Sequence, residues 1–266
     1  MKTFNSLKEI FFLLVTAVLL TNCSPNNDST PANPSVFPTD GLIAQYNFDG
    51  DANDISGYNL NGTVHGATLT ADRKNAANSA YDFDYVNASF GNQNDEIYIP
   101  YSPLMNVTNI TVSLWLYPRS YYWNGNPNNP FSTIINRFQY GYSNPNSQAW
   151  GITFNQASVT GFIVGTNGTG SANAVSNQKL TLNKWYHLVM TYNESQVRLY
   201  INGILEAIQN YSSPMNKSGN SGISIGESNQ ANGYWNHTDG KIDDVAIWDR
   251  ALTPTEIEQL YTIQNQ

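Results

Sequence analysis

The sequence predicts an all-β fold, an antiparallel sandwich of jelly-roll type closed by one short C-terminal helix, on three observations. Short stretches of period-two alternation recur along the chain. Gly, Asn and Pro punctuate them, and no helical periodicity intervenes until the C-terminus. Strands that follow one another without intervening helices pair antiparallel and bury one face each against a second sheet.

The elements follow in chain order. Leu42, Ala44, Tyr46 and Phe48 alternate with Gln45 and Asn47, the pattern of a half-buried strand. Residues 96–100, 110–117, 150–154, 161–164, 185–192, 197–201, 223–225 and 242–248 show the same richness in β-branched and aromatic side chains. Trp115, Trp150, Trp185 and Trp248 lie inside such stretches and are read as core. Asn193–Gln196 separates two strands, and Asn202-Gly203 supplies the positive φ values of a type I′ hairpin turn before Ile204-Leu205-Glu206. At the end Thr253 caps a helix, Pro254 fits its first position and Glu256 completes a capping box. Ile257, Leu260 and Tyr261 form its apolar stripe.

Composition narrows the function classes. The chain has 266 residues, of which 40% are hydrophobic and 13% aromatic, enough for a sizeable core and incompatible with disorder throughout. Only 12% are charged, yet mean hydropathy is −0.40, so Asn, Ser, Thr, Gly and Tyr supply the polarity. A net charge of −8, with Arg73-Lys74 the one adjacent basic pair, excludes a nucleic-acid partner. The single Cys excludes a disulfide scaffold and a thiolate zinc site.

That Cys belongs to an address. Lys2 and Lys8 precede the apolar run Ile10–Leu20, too short to span a bilayer and suited to an export signal. Leu20-Thr21-Asn22-Cys23 resembles the lipobox of bacterial lipoproteins, which implies acylation at Cys23 and attachment to the cell envelope, at the outer membrane. Residues 1–22 are thus the expected signal peptide. Residues 23–39, with Pro25, Pro31, Pro34 and Pro38, read as an extended tether, leaving a single domain over 40–262.

A series of motifs then agrees in order with one family. Gly41–Gly57, Asn61–Ala67, Ala80–Asp84, Glu96–Pro100, Val112–Leu116, Trp185–Val189, Leu199–Gly203, Ile225-Gly226 and Gly240–Arg250, followed by Leu252–Ile257, resemble the LamG-like jelly rolls of the concanavalin A-like lectin/glucanase superfamily. The resemblance implies two curved sheets, with ligands met on the concave face or the loops at its rim.

Catalysis is not expected. The Glu-x-Asp-x-Glu strand of glucanase relatives, which would aim carboxylates to one face, is absent. Asp82-Phe83-Asp84 lacks a following acid, and Asp95-Glu96 point to opposite faces. His65 and His237 fall in loops and His187 in a strand, without a partner motif. A structural calcium is expected instead. Asp49–Asp54 is dense in oxygen donors, and the resemblance implies a metal between the N-terminal segment and the last strand. It suggests Asp49, Asp54 and Asp243, with Asp244 sent to the other face by alternation. The alternative is an Asx-rich turn that needs no metal.

Aromatic side chains in polar loops suit sugars, whose apolar ring faces stack on them while Asn and Gln bond the hydroxyls. Tyr122 and Trp123 follow one strand, Tyr234 and Trp235 precede the last, and Tyr140 lies with Tyr142 in a third loop. The expectation is an envelope-anchored binding module for a glycan. A protein-binding adhesion module is the alternative and a divergent glycoside hydrolase the third reading.

Overall fold

The computed structural model describes residues 36–84, 95–122, 131–138, 148–166, 170–217, 219–227 and 237–266. Its strands are β1 (Leu42–Tyr46), β2 (Thr63–His65), β3 (Thr68–Thr70), β4 (Ala80–Phe83), β5 (Glu96–Ile99), β6 (Ile110–Pro118), β7 (Phe131–Phe138) and β8 (Gln148–Asn155). There follow β9 (Ser158–Val164), β10 (Ser171–Lys179), β11 (Tyr186–Tyr192), β12 (Gln196–Ile201), β13 (Ile204–Asn210), β14 (Ile223–Ile225), β15 (Gly240–Trp248) and helix α1 (Pro254–Gln264).

They form the expected antiparallel sandwich. The first sheet has the order β13-β12-β11-β6-β15-β4-β3, with β1 also joining β15; the second runs β10-β9-β8-β7-β14-β5-β2. Alternation sends Leu114, Leu188 and Ile242 of the first sheet against Ile97, Ile152 and Ile225 of the second in one continuous core. A second apolar cluster lies on the outward side of the first sheet. There Val189, Ala246 and Trp248 meet Leu252, Ile257 and Leu260 from α1 and the residues before it. Thr253 and Glu256 form both bonds of the capping box, and Pro254 opens the helix. Asn202 (φ 53°) and Gly203 (φ 78°) turn β12 into β13 as the type I′ hairpin requires.

Three readings are corrected. His65 ends strand β2 instead of lying in a loop, because its stretch pairs with Glu96 to Tyr98 on β5. Trp185 is only half-buried, just before β11, where its ring meets Tyr117 on the outward surface at 5.5 Å. Trp115, Trp150 and Trp248 are core, at 3%, 1% and 0% exposure. Finally, strict alternation fails in β15. Its residues Gly240–Ile242 pair with β4 and Val245–Trp248 with β1, so Asp243 and Asp244 stand where one neighbour hands over to the other. Asp244 takes a left-handed φ of 46° and the register slips, a bulge that turns both carboxylates the same way.

Candidate functional site

The four acids named for calcium do not converge as ligands, although the charge of Asp49 is felt at Asp244. Asp54 organises the loop after β1: its Oδ1 accepts from the Gln45 and Ser56 amides at 3.0 and 2.9 Å. Its Oδ2 accepts from the Leu60 amide at 3.0 Å and the Ser56 hydroxyl at 2.9 Å. All its lone-pair directions are thereby used, as in an Asx-based turn. Asp49 is exposed at the loop tip.

Asp243 and Asp244 meet a cation of the chain itself. Arg73 donates from Nη1 to Asp243 and from Nη2 to Asp244, each at 2.6 Å, and from Nε to the Gln264 carbonyl at 2.9 Å. Its guanidinium lies 4.4 Å from the centre of the Trp115 ring, whose Nε1 donates to Gln264 Oε1 at 3.0 Å. Burial pushes both carboxyls upward, with Asp244 adding to this at Asp243, while Arg73 pulls them back. Among the described residues no three acids, histidines or cysteines converge as a metal would require. The residues present therefore do not fit a calcium held by Asp49, Asp54, Asp243 and Asp244. Sequence reasoning missed Arg73 because its partners lie 170 residues away.

Deeper under α1, Ser113 Oγ and His187 Nε2 are 2.8 Å apart. Both side chains are fully buried, which removes them from any substrate. Burial and Arg73 hold the His187 imidazole down at about 3, so it is neutral at ordinary pH.

The other end of β15 is different. Gly240 lies opposite both Pro118 of β6 and Phe83 of β4, so β6 and β4 end where β15 begins. On the second sheet, Ile225 of β14 faces Ile135 within β7, and the antiparallel chain runs on toward the start of β7, the Gly226 amide donating to the Ile134 carbonyl at 2.8 Å. Thr238 stitches the sheets together here, through its amide to the Gly226 carbonyl and its hydroxyl to the Thr133 carbonyl, both 2.8 Å. The strand ends flanking residues 123–130 and 228–236 thus stand at one end of the sandwich, and those flanking 139–147 stand at the other.

Polar groups at the first end hold one another in place. Arg119 donates to Asp82, to Asp239 at 2.8 Å and to the Phe83 carbonyl at 2.7 Å, joining β4, the exit of β6 and the entry of β15. Asp95 accepts from the Asp84 amide at 2.5 Å. Burial, with Asp84 and Asp82 nearby, pushes its carboxyl up to about 6, against the lowering effect of that amide bond and of Arg119. His237 and Glu227 face each other at 3.9 Å, and burial holds His237 down at about 4. A narrow crevice between the sheets here, lined by Ser120, Ser132, Thr238 and Asp239, has no room for a sugar ring.

Of the ligand-binding candidates, Tyr122 is half-buried at this end, its ring edge-on to Tyr121 at 6.5 Å. Trp123, Tyr140, Tyr234 and Trp235 lie outside the described residues, as does Cys23. Their segments share a composition: residues 85–94, 123–130, 139–147 and 228–236 contain aromatic and Asn residues and no charged side chain.

Comparison with known proteins agrees with this architecture. The binding domain of Paraclostridial mosquitocidal protein 1 superposes with a TM-score of 0.64 at 19% identity, covering 85% of this chain and 53% of that one. The binding domain of botulinum neurotoxin DC, solved with rat synaptotagmin II, gives 0.62 at 18% identity, covering 85% and 52%. The ligand-binding domain of botulinum neurotoxin serotype D, solved with N-acetylneuraminic acid, gives 0.59 at 19% identity, covering 87% and 53%. The chain spans about half the length of these proteins, and at such identities the likeness is one of fold. No curated protein matches the sequence. The Laminin_G_3 family model matches residues 90–258. On that match, and on the sandwich beneath it, the chain belongs to the concanavalin A-like lectin/glucanases superfamily.

Proposed function

We propose that this chain is a binding module that takes an uncharged glycan at the sandwich end where β6 leaves and β15 enters. One observation carries the reading. The strand ends at this end flank two segments, 123–130 and 228–236, that supply Trp123, Tyr234 and Trp235 among Asn side chains and no charge. Aromatic faces stack on pyranose rings, and amides bond hydroxyls without demanding a counter-ion. Among the described groups at this end, the acids Asp82, Asp84, Asp95, Asp239 and Glu227 outnumber the basic Arg119 and Lys241, which favours neutral over anionic sugars. The solved neighbours are binding domains, some in complex with sialylated ligands, which supports binding over catalysis as the activity class.

Retention of the protein on an array of neutral glycans tests this. Trp123→Ala or Trp235→Ala should abolish a retention that the parent shows, with the melting temperature unchanged. Equal retention by both variants contradicts the site. A protein partner at the β10–β13 edge, where Val175, Ile204, Leu205 and Ile208 are exposed, is the second reading. Its binding survives Trp235→Ala.

Display from the envelope through an acylated Cys23 completes the proposal. In a bacterial host Cys23→Ser should move the protein from the membrane fraction to the soluble one. Unchanged membrane association of the variant counts against the anchor.

A further inference from the structure

Of the described arginines that bridge two carboxylates, Arg73 is the buried one. A turn built by Asp72, whose Oδ1 accepts from the Lys74 and Ala76 amides at 2.8 and 2.7 Å, presents it toward the outward side of the first sheet. Its side chain is only 8% exposed. The guanidinium meets three negative groups at once: Asp243, Asp244 and the carbonyl end of α1 at Gln264. The two carboxylates come together only because β15 bulges at Asp244, and a left-handed Asp within a strand is a strained arrangement that needs an external hold.

We infer that Arg73 is a built-in cation that does the structural work of a bound divalent metal, clasping the β3–β4 connection, the bulge of β15 and the end of α1 without calcium. A fork of fixed N–H donors suits two carboxylates and a carbonyl in a way a lysine ammonium cannot. The acids left outside the clasp, Asp49 and Asp54, stand respectively exposed and saturated by N–H and O–H donors, and so add no ligand to it.

Thermal melts test the inference. The parent should melt at the same temperature in excess chelator and in millimolar calcium; a melt that falls in chelator overturns it. Arg73→Ala should lower the melting temperature by on the order of 10 °C, because a buried pair of carboxylates loses its counter-charge. Arg73→Lys should recover only part of that loss. The triple variant Arg73→Ala/Asp243→Asn/Asp244→Asn should melt above Arg73→Ala, since neutral amides need no cation. A triple variant no more stable than the single one shows that charge compensation is not the role of Arg73. Should neither variant fold, the parent's response to chelator still decides whether a metal holds the site.

Discussion

Along β15 the protein carries two regions of opposite character. From Asp243 to Trp248 the outward side of the strand is sealed by α1 and Arg73, with Trp248, Ile257 and Leu260 excluded from solvent. From Gly240 to Ile242 the same strand borders a rim of short polar side chains, where ion pairs stay partly exposed and the flanking segments are uncharged. The bulge at Asp243 and Asp244 divides them. With the proposed site at the rim, the difference teaches how stability and recognition can be separated along one strand: burial and a buried clasp at one end, solvated and prearranged groups at the other.

Variants can break that separation or sharpen it. The largest effect is expected on the sealed side. Leu260→Ala removes a fully buried side chain beneath α1 and should cost about 2–5 kcal/mol in a denaturant melt, leaving glycan retention below the transition intact. Loss of retention in a still-folded Leu260→Ala protein would join the two regions after all. A smaller effect comes from pH. His187 under α1 and His237 at the rim are held down at about 3 and 4, whereas an unfolded histidine titrates near 6.5. At these two residues the unfolded chain therefore binds more protons in that interval, and their contribution to stability is lost as pH drops from about 6.5 toward 4. Glu256, drawn down to about 2 chiefly by Arg250, extends the loss below its ordinary range near 4.5. The raised carboxyls of Asp95, Asp243 and Asp244 act in the opposite sense, so the share of His237 is read as the difference between the parent and His237→Gln in melts from pH 7 to pH 4. The parent should lose stability relative to His237→Gln as pH falls, and parallel curves would remove that share.

The sealed region was partly legible in the sequence and the rim much less so. Thr253, Pro254 and Glu256 announce α1 because capping is a local exchange of hydrogen bonds, and Asn202-Gly203 announces its hairpin because φ is a property of single residues. Strand β10 escaped because its inward residues are Ala172, Ala174 and Ser176, too small to mark a buried face. Strand β7 escaped because Ile134 and Ile135 sit beside a register slip that breaks its alternation. The same failure misplaced Asp244, since period two cannot foresee a bulge. Arg73 carried no local signal beyond being half of a basic pair, because its partners are set by tertiary structure alone. At the rim, sequence supplied the aromatic residues, while only strand register shows that the ends flanking Trp123 and those flanking Trp235 coincide and those flanking Tyr140 do not.

The rim is proposed to take uncharged sugars. The most direct test is a calorimetric titration with the neutral oligosaccharide best retained on the array, beside the same oligosaccharide extended by N-acetylneuraminic acid. Binding of the neutral form alone, lost in Trp235→Ala, is the predicted result. Equal or tighter binding of the sialylated form, or binding that Trp235→Ala leaves unchanged, would contradict it.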